Sequence, residues 1–177
     1  MFISLSSAFS QTNPNSKSVS IQIVAVVPPL LHLSLDFAQN STTQVAGYIG
    51  GIEESRQAAH LSSSMASGFE IKEGVRVELG DARLFSNITG SYSIDVYSVN
   101  GGTLMDPRGI AQEAIPYSLS LGENEAIAKN GTFNFRQTGK STRDGSTMKV
   151  SLAITDVPPQ ATRGLYVDNL MFSVSAN

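Results

Sequence analysis

Cysteine is absent from this sequence, which rules out disulfide staples, thiolate nucleophiles and cysteine-held zinc. Tryptophan is absent too, which weakens the case for a sugar-stacking surface without excluding it. Charged residues make up 15% of the chain, against about a quarter in an ordinary domain. The 12 Lys and Arg are scattered and the net charge is −3, so the basic footprint that nucleic acid requires is missing. No window approaches the roughly 18 continuous apolar residues of a membrane-spanning helix. Helical periodicity is missing as well.

Motifs of catalysis are equally scarce. There is no G-x-S-x-G elbow, no Walker-type phosphate loop and no EF-hand string. The two histidines, His32 and His60, have no second ligand at zinc-type spacing. Asp81, Asp95, Asp106, Asp144, Asp156 and Asp168 fall one to a segment, as turn and edge residues do. Asn40, Asn87 and Asn130 open glycosylation sequons, which chance supplies in a chain rich in Asn, Ser and Thr. The expectation is a protein with no catalytic residue, no cofactor and no metal site, and not an enzyme.

Alternation of period two is plentiful, and it predicts strands. Over residues 18–37, Val19, Ile21, Ile23, Ala25 and Val27 share one face, and Leu31, Leu33, Leu35 and Phe37 continue that parity. Pro28 and Pro29 cannot sit in a central ladder, so two strands joined at a bend are expected, with the chain crossing between sheets. Further alternating runs carry Phe69, Ile71, Val75, Val77 and Leu79; Tyr92, Ile94 and Val96; Ile115, Tyr117, Leu119 and Leu121; Phe133 and Phe135; and Met148, Val150, Leu152 and Ile154. The last run sets Tyr166, Leu170, Phe172, Val174 and Ala176 on one face with Asp168 among them. There Asp168 reads as a charge that keeps a flat strand from aggregating. About eight short strands in one domain predict an all-β, antiparallel β-sandwich or barrel, and their uneven lengths and irregular gaps favour the sandwich. Residues 38–68 lose the alternation and are expected to form an irregular loop or insertion.

Tyr92, Tyr117 and Tyr166 share parity with apolar faces and are expected in the core. Tyr97 faces the polar side and Tyr48 falls in the irregular stretch, which makes these two the ligand candidates. At the start of the chain, a short apolar stretch followed by Ala8 and Ser10 before Gln11 resembles a signal-peptidase site. Residues 1–10 are therefore expected to be the remnant of a signal peptide and residues 11–177 the exported domain; the alternative is a merely apolar start.

Four stretches taken in order, VSIQIVAVVPPLLHLSLDF, YSIDVYSVNGGTL, IPYSLSLG and GLYVDNLMFSVSAN, resemble exported bacterial β-sandwich proteins of the fimbrial-subunit and spore coat protein U kind. The closing stretch carries Gly164, Tyr166, Asp168, Leu170, Phe172 and Val174 at that kind's spacing. Residues 38–84 match nothing in the resemblance. It implies a secreted subunit, all-β and antiparallel with an immunoglobulin-like β-sandwich architecture, at the cell surface or in the periplasm, that assembles into a pilus or coat with copies of itself or other subunits through edge-strand pairing. Under that reading Val19, Ile21, Ile23, Ala25 and Val27 form either a donated strand or an ordinary first strand of the same domain. The cysteine pair common in this kind is absent, and the ending Ser175-Ala176-Asn177 lacks the aromatic residue of chaperone-assembled pilins. The alternative function is a monomeric adhesin or periplasmic module holding a glycan or host protein through its loops, chiefly residues 38–68 and 100–114.

Overall fold

Alternating sequence builds two sheets whose apolar faces meet. A computed structural model describes residues 3–6, 22–25, 29–36, 42–50, 68–141 and 144–177. Among the described residues there are thirteen strands and no helix: β1 (Ile3–Ser6), β2 (Gln22–Ala25), β3 (Leu31–Leu35), β4 (Thr42–Ile49), β5 (Phe69–Glu70), β6 (Arg76–Ser86), β7 (Ser91–Ser98), β8 (Thr103–Leu104), β9 (Ile115–Leu121), β10 (Asn124–Ile127), β11 (Thr132–Thr138), β12 (Ser146–Ile154) and β13 (Gly164–Ala176).

One large sheet runs β10-β9-β12-β6-β3, with β8 on the stretch of β9 that β10 leaves free. The other runs β11-β7-β13-β4-β5. All pairs are antiparallel except β4 with β5. The fold is an antiparallel immunoglobulin-like β-sandwich. Its core sets Ala82, Tyr117, Leu119, Leu121, Val150, Leu152 and Ile154 of the first sheet against Val45, Ile94, Val96, Phe133, Phe135, Tyr166, Leu170 and Phe172 of the second. The segment from Thr103 to Met105 stitches the layers together, because β8 pairs with β9 in one sheet while Met105 exchanges backbone bonds with Val167 in the other.

Residues β2 and β3, on either side of Pro28 and Pro29, lie in different sheets, as the proline pair suggests. β2 pairs with β1 in a two-stranded sheet of its own. β6 runs seven residues past Leu79, where the alternation seemed to end. The cause is a bulge: Gly80 faces Val150 and Glu78 faces Ser151, leaving Leu79 as the extra residue. The inward parity therefore changes from Val77 and Leu79 to Ala82 and Leu84.

The expectation of an irregular stretch over residues 38–68 needs correcting at β4, which is a strand eight residues long between β13 and β5. Its consecutive residues Val45, Ala46, Gly47 and Tyr48 are all buried, so no hydrophobic alternation marks it. By register with β13, Val45 points into the sandwich while Ala46 and Tyr48 point to the outer face. The backbone at Gly68 lies so close over Tyr48 that a Cβ there would stand 2.0 Å from the ring's Cε2. Tyr48 is thus a packed residue, 2% exposed, rather than an accessible loop tyrosine. Tyr48→Ala is expected to lower the unfolding free energy by about 3 kcal/mol, whereas an exposed loop tyrosine would change it by under about 0.5 kcal/mol. Urea denaturation monitored by circular dichroism separates these outcomes.

Candidate functional site

Asp168 lies at an inward position of β13 between Tyr166 and Leu170 and is 0% exposed. A carboxylate in that position requires a full set of donors, since burying it unpaired costs many kcal/mol. The set is present. Ser98 Oγ and the Tyr117 phenol both donate to Oδ2, at 2.5 and 2.7 Å. The backbone N–H groups of Asn100 and Asn169 donate to Oδ1, at 3.0 and 2.7 Å. Ser98 Oγ itself accepts the Gly102 N–H at 2.6 Å, which leaves its own proton to point at the carboxylate. Burial pushes the Tyr117 phenol's pKa far up, and the negative charge of Asp168 adds to that shift, so the phenol stays a donor. Its ring stacks on Phe133 with centroids 5.4 Å apart.

The cluster links the two layers, since Tyr117 belongs to β9 and Asp168 to β13. It also sets the Asn100-Gly101-Gly102 turn, where Asn100 Nδ2 donates to Val167 O at 2.9 Å. Gly102, at φ 88°, lies where a Cβ would come within 2.4 Å of Ala128 Cβ, so only glycine fits. Reading Asp168 as a guard against edge aggregation is corrected by this position: β13 is internal to its sheet, and the carboxylate is a buried structural anchor.

The chain then passes into the loop at residues 100–114, which a second carboxylate organises. Asp106 Oδ1 accepts from the backbone N–H and Nε of Arg108 at 2.9 and 3.1 Å. Its Oδ2 accepts from Arg108 Nη2 at 3.2 Å and the Ala111 N–H at 3.1 Å. The side-chain bonds from Arg108 are the main cause that holds the Asp106 carboxyl down at about 2, with the backbone donors helping and burial opposing. Four residues at the tip, Pro107, Arg108, Gly109 and Ile110, stand exposed, Ile110 by 73%.

Of the residues expected to interact, Val19, Ile21 and Val27 lie outside the described residues. Ile23 and Ala25 fall in β2, opposite Leu5 and Ile3. Tyr97 is on the outer face of β7, 49% exposed, with Thr132 opposite on β11 and the exposed Met171 opposite on β13. The structure therefore does not bring Tyr97 and Tyr48 into one site: the first is open and the second is packed. Among the described residues no three His, Cys, Asp or Glu side chains gather as a metal-holding group. A cleft on the first sheet, lined by Ser34, Leu35, Asp36, Asp81, Arg83 and Thr147, holds two carboxylates: Asp36 Oδ1 accepts the Asp81 backbone N–H at 2.6 Å, and Asp81 Oδ1 is buried with no hydrogen-bond partner among the described residues.

No family model and no curated protein matches the chain. Solved structures similar to it include the AfaE-3 adhesin from Escherichia coli, at 9% identity and TM-score 0.47, covering 82% of this chain and 99% of that one. The DraE adhesin in complex with chloramphenicol succinate is similar at 7% identity and TM-score 0.45, covering 82% and 99%. The DaaE adhesin is similar at 9% and 0.44, covering 78% and 98%. These are distant likenesses; the β-sandwich stands on the strand pairing described above.

Ser98, Tyr117 and the Asn100–Gly102 turn escaped the sequence reading as parts of one cluster. The available signal was Asp168 itself, a charge at core parity that must find donors somewhere. Tyr117→Phe is expected to cost about 1.5–3 kcal/mol, the value of a hydrogen bond to a charged group. The same change is expected to cost less in an Asp168→Asn background, and a double-mutant cycle in urea measures the difference. Asp106 has a depressed folded pKa, so its contribution to stability is complete above the ordinary carboxylate range near pH 4 and is lost as pH falls toward about 2. In thermal unfolding across that interval, the advantage of wild type over Asp106→Asn is expected to shrink as the pH drops.

Proposed function

We propose that this chain is a non-enzymatic, exported structural subunit of a pilus-, fimbria- or coat-like surface assembly, joined to its neighbours by strand exchange. The observation that carries the reading is a strand that belongs to neither large sheet: among the described residues β2, with Ile23 and Ala25, pairs with β1 in a two-stranded sheet of its own. A strand held outside the sandwich's own sheets is what a subunit that lends a strand to a neighbour's sheet edge requires. The titratable groups fit a structural role, because Asp168 and Asp106 are both taken up in holding turns.

A second reading is a monomeric adhesin or periplasmic module that grips a glycan or host protein. It draws support from the rigidly anchored tip carrying Arg108 and Ile110 and from the exposed Tyr97. Solution mass decides between the two. Under the assembly reading, light scattering of the full chain gives oligomers that grow with concentration. Ile21→Asp with Ile23→Asp, or removal of residues 1–27, leaves a folded monomer with an unchanged unfolding transition. A full chain that stays monomeric at every concentration, or that unfolds on either change, overturns strand exchange and leaves the loop-binding reading.

A further inference from the structure

We infer that the Asn130–Gly131 turn is a site of spontaneous deamidation, which ages the protein at the turn supporting Tyr97. The sequence contains two Asn-Gly pairs, Asn100–Gly101 and Asn130–Gly131, and the fold treats them oppositely. Lys129 and Thr132 exchange backbone bonds of 2.9 and 3.1 Å around Asn130 and Gly131, whose φ angles of 51° and 79° make a two-residue hairpin turn. Asn130 is the one non-glycine at positive φ among the described residues, and its side chain stands in solvent. Its amide makes no hydrogen bond among the described residues, and neither does the Gly131 N–H, so electrophile and nucleophile are both free.

The chemistry needs only water. The Gly131 backbone nitrogen attacks Asn130 Cγ, a new N–Cγ bond forms, the Cγ–Nδ2 bond breaks and ammonia leaves, while the Gly131 N–H proton goes to solvent or to the departing nitrogen. Water then opens the succinimide at either carbonyl, yielding aspartate or isoaspartate with no change of oxidation state. At Asn100 the same reaction is restrained. Asn100 Nδ2 is bound to Val167 O at 2.9 Å, and the Gly101 N–H is directed to Ser98 O at 3.4 Å. Both bonds have to be released before the attack, which slows it by roughly tenfold or more.

The consequence falls on the exposed face of the second sheet. Gly131 O accepts the Ser98 N–H at 2.8 Å, and a Cβ on Gly131 would lie 3.6 Å from Tyr97 Cε2. Isoaspartate adds a backbone carbon to this turn and a negative charge beside the ring, so it changes the surface that Tyr97 presents. The test is peptide-mapping mass spectrometry of the full, folded chain held at mildly alkaline pH. The Asn130 peptide is expected to show the amide-to-acid mass gain, with a split isoaspartate peak, roughly tenfold faster than the Asn100 peptide. In urea the two rates are expected to converge. Asn130→Gly, which keeps a residue suited to positive φ, is expected to abolish the product with thermal unfolding unchanged. Equal rates in the folded chain, a faster Asn100, or a difference that persists in urea overturns the inference.

Discussion

A charge placed at a core position is the constraint around which this sandwich is organised. Once β13 carries Asp168 inward, four donors must converge on it, and they come from three separate parts of the chain: Ser98 and Asn100 at the end of β7, Tyr117 on β9, and the backbone of Asn169. Apolar packing holds the sheets face to face but is tolerant of sliding, because it has no direction. The carboxylate supplies direction. It fixes where β9 stands relative to β13, and through Ser98 and Gly102 it fixes the turn from which the chain crosses between layers.

That anchoring has a consequence for the neighbouring loop. Residues 100–114 begin at the Asp168 cluster and fold around Asp106, so the exposed tip with Arg108 and Ile110 is held by two carboxylates in succession. A loop fixed in this way presents its side chains at little entropic cost on binding. Along the edges of the large sheets β3, β5 and β10 are short, which limits the unpaired backbone each of them presents.

Among the described residues β2 is paired with β1 in a two-stranded sheet of its own, while β3 lies in a large sheet. Tyr48 was expected on an open loop and is packed under Gly68, while Tyr97 stays accessible on β7.

Period-two alternation by itself determined the class of fold, the places of β3, β6, β7, β9, β11, β12 and β13, and the inward faces carrying Tyr92, Tyr117 and Tyr166, because a half-buried strand must write its burial into its own sequence. Strands buried on both faces or very short leave no such record. β4, β8 and β10 were therefore invisible, and the bulge at Leu79 hid the second half of β6 by reversing its parity. Only the tertiary structure decided the meaning of Asp168. In the sequence it is one acid among apolar neighbours, and its donors at Ser98 and Tyr117 lie 70 and 51 residues away. No local pattern encodes a hydrogen bond across a sandwich, because the pairing arises from the packing of the sheets and not from the order of residues within either strand.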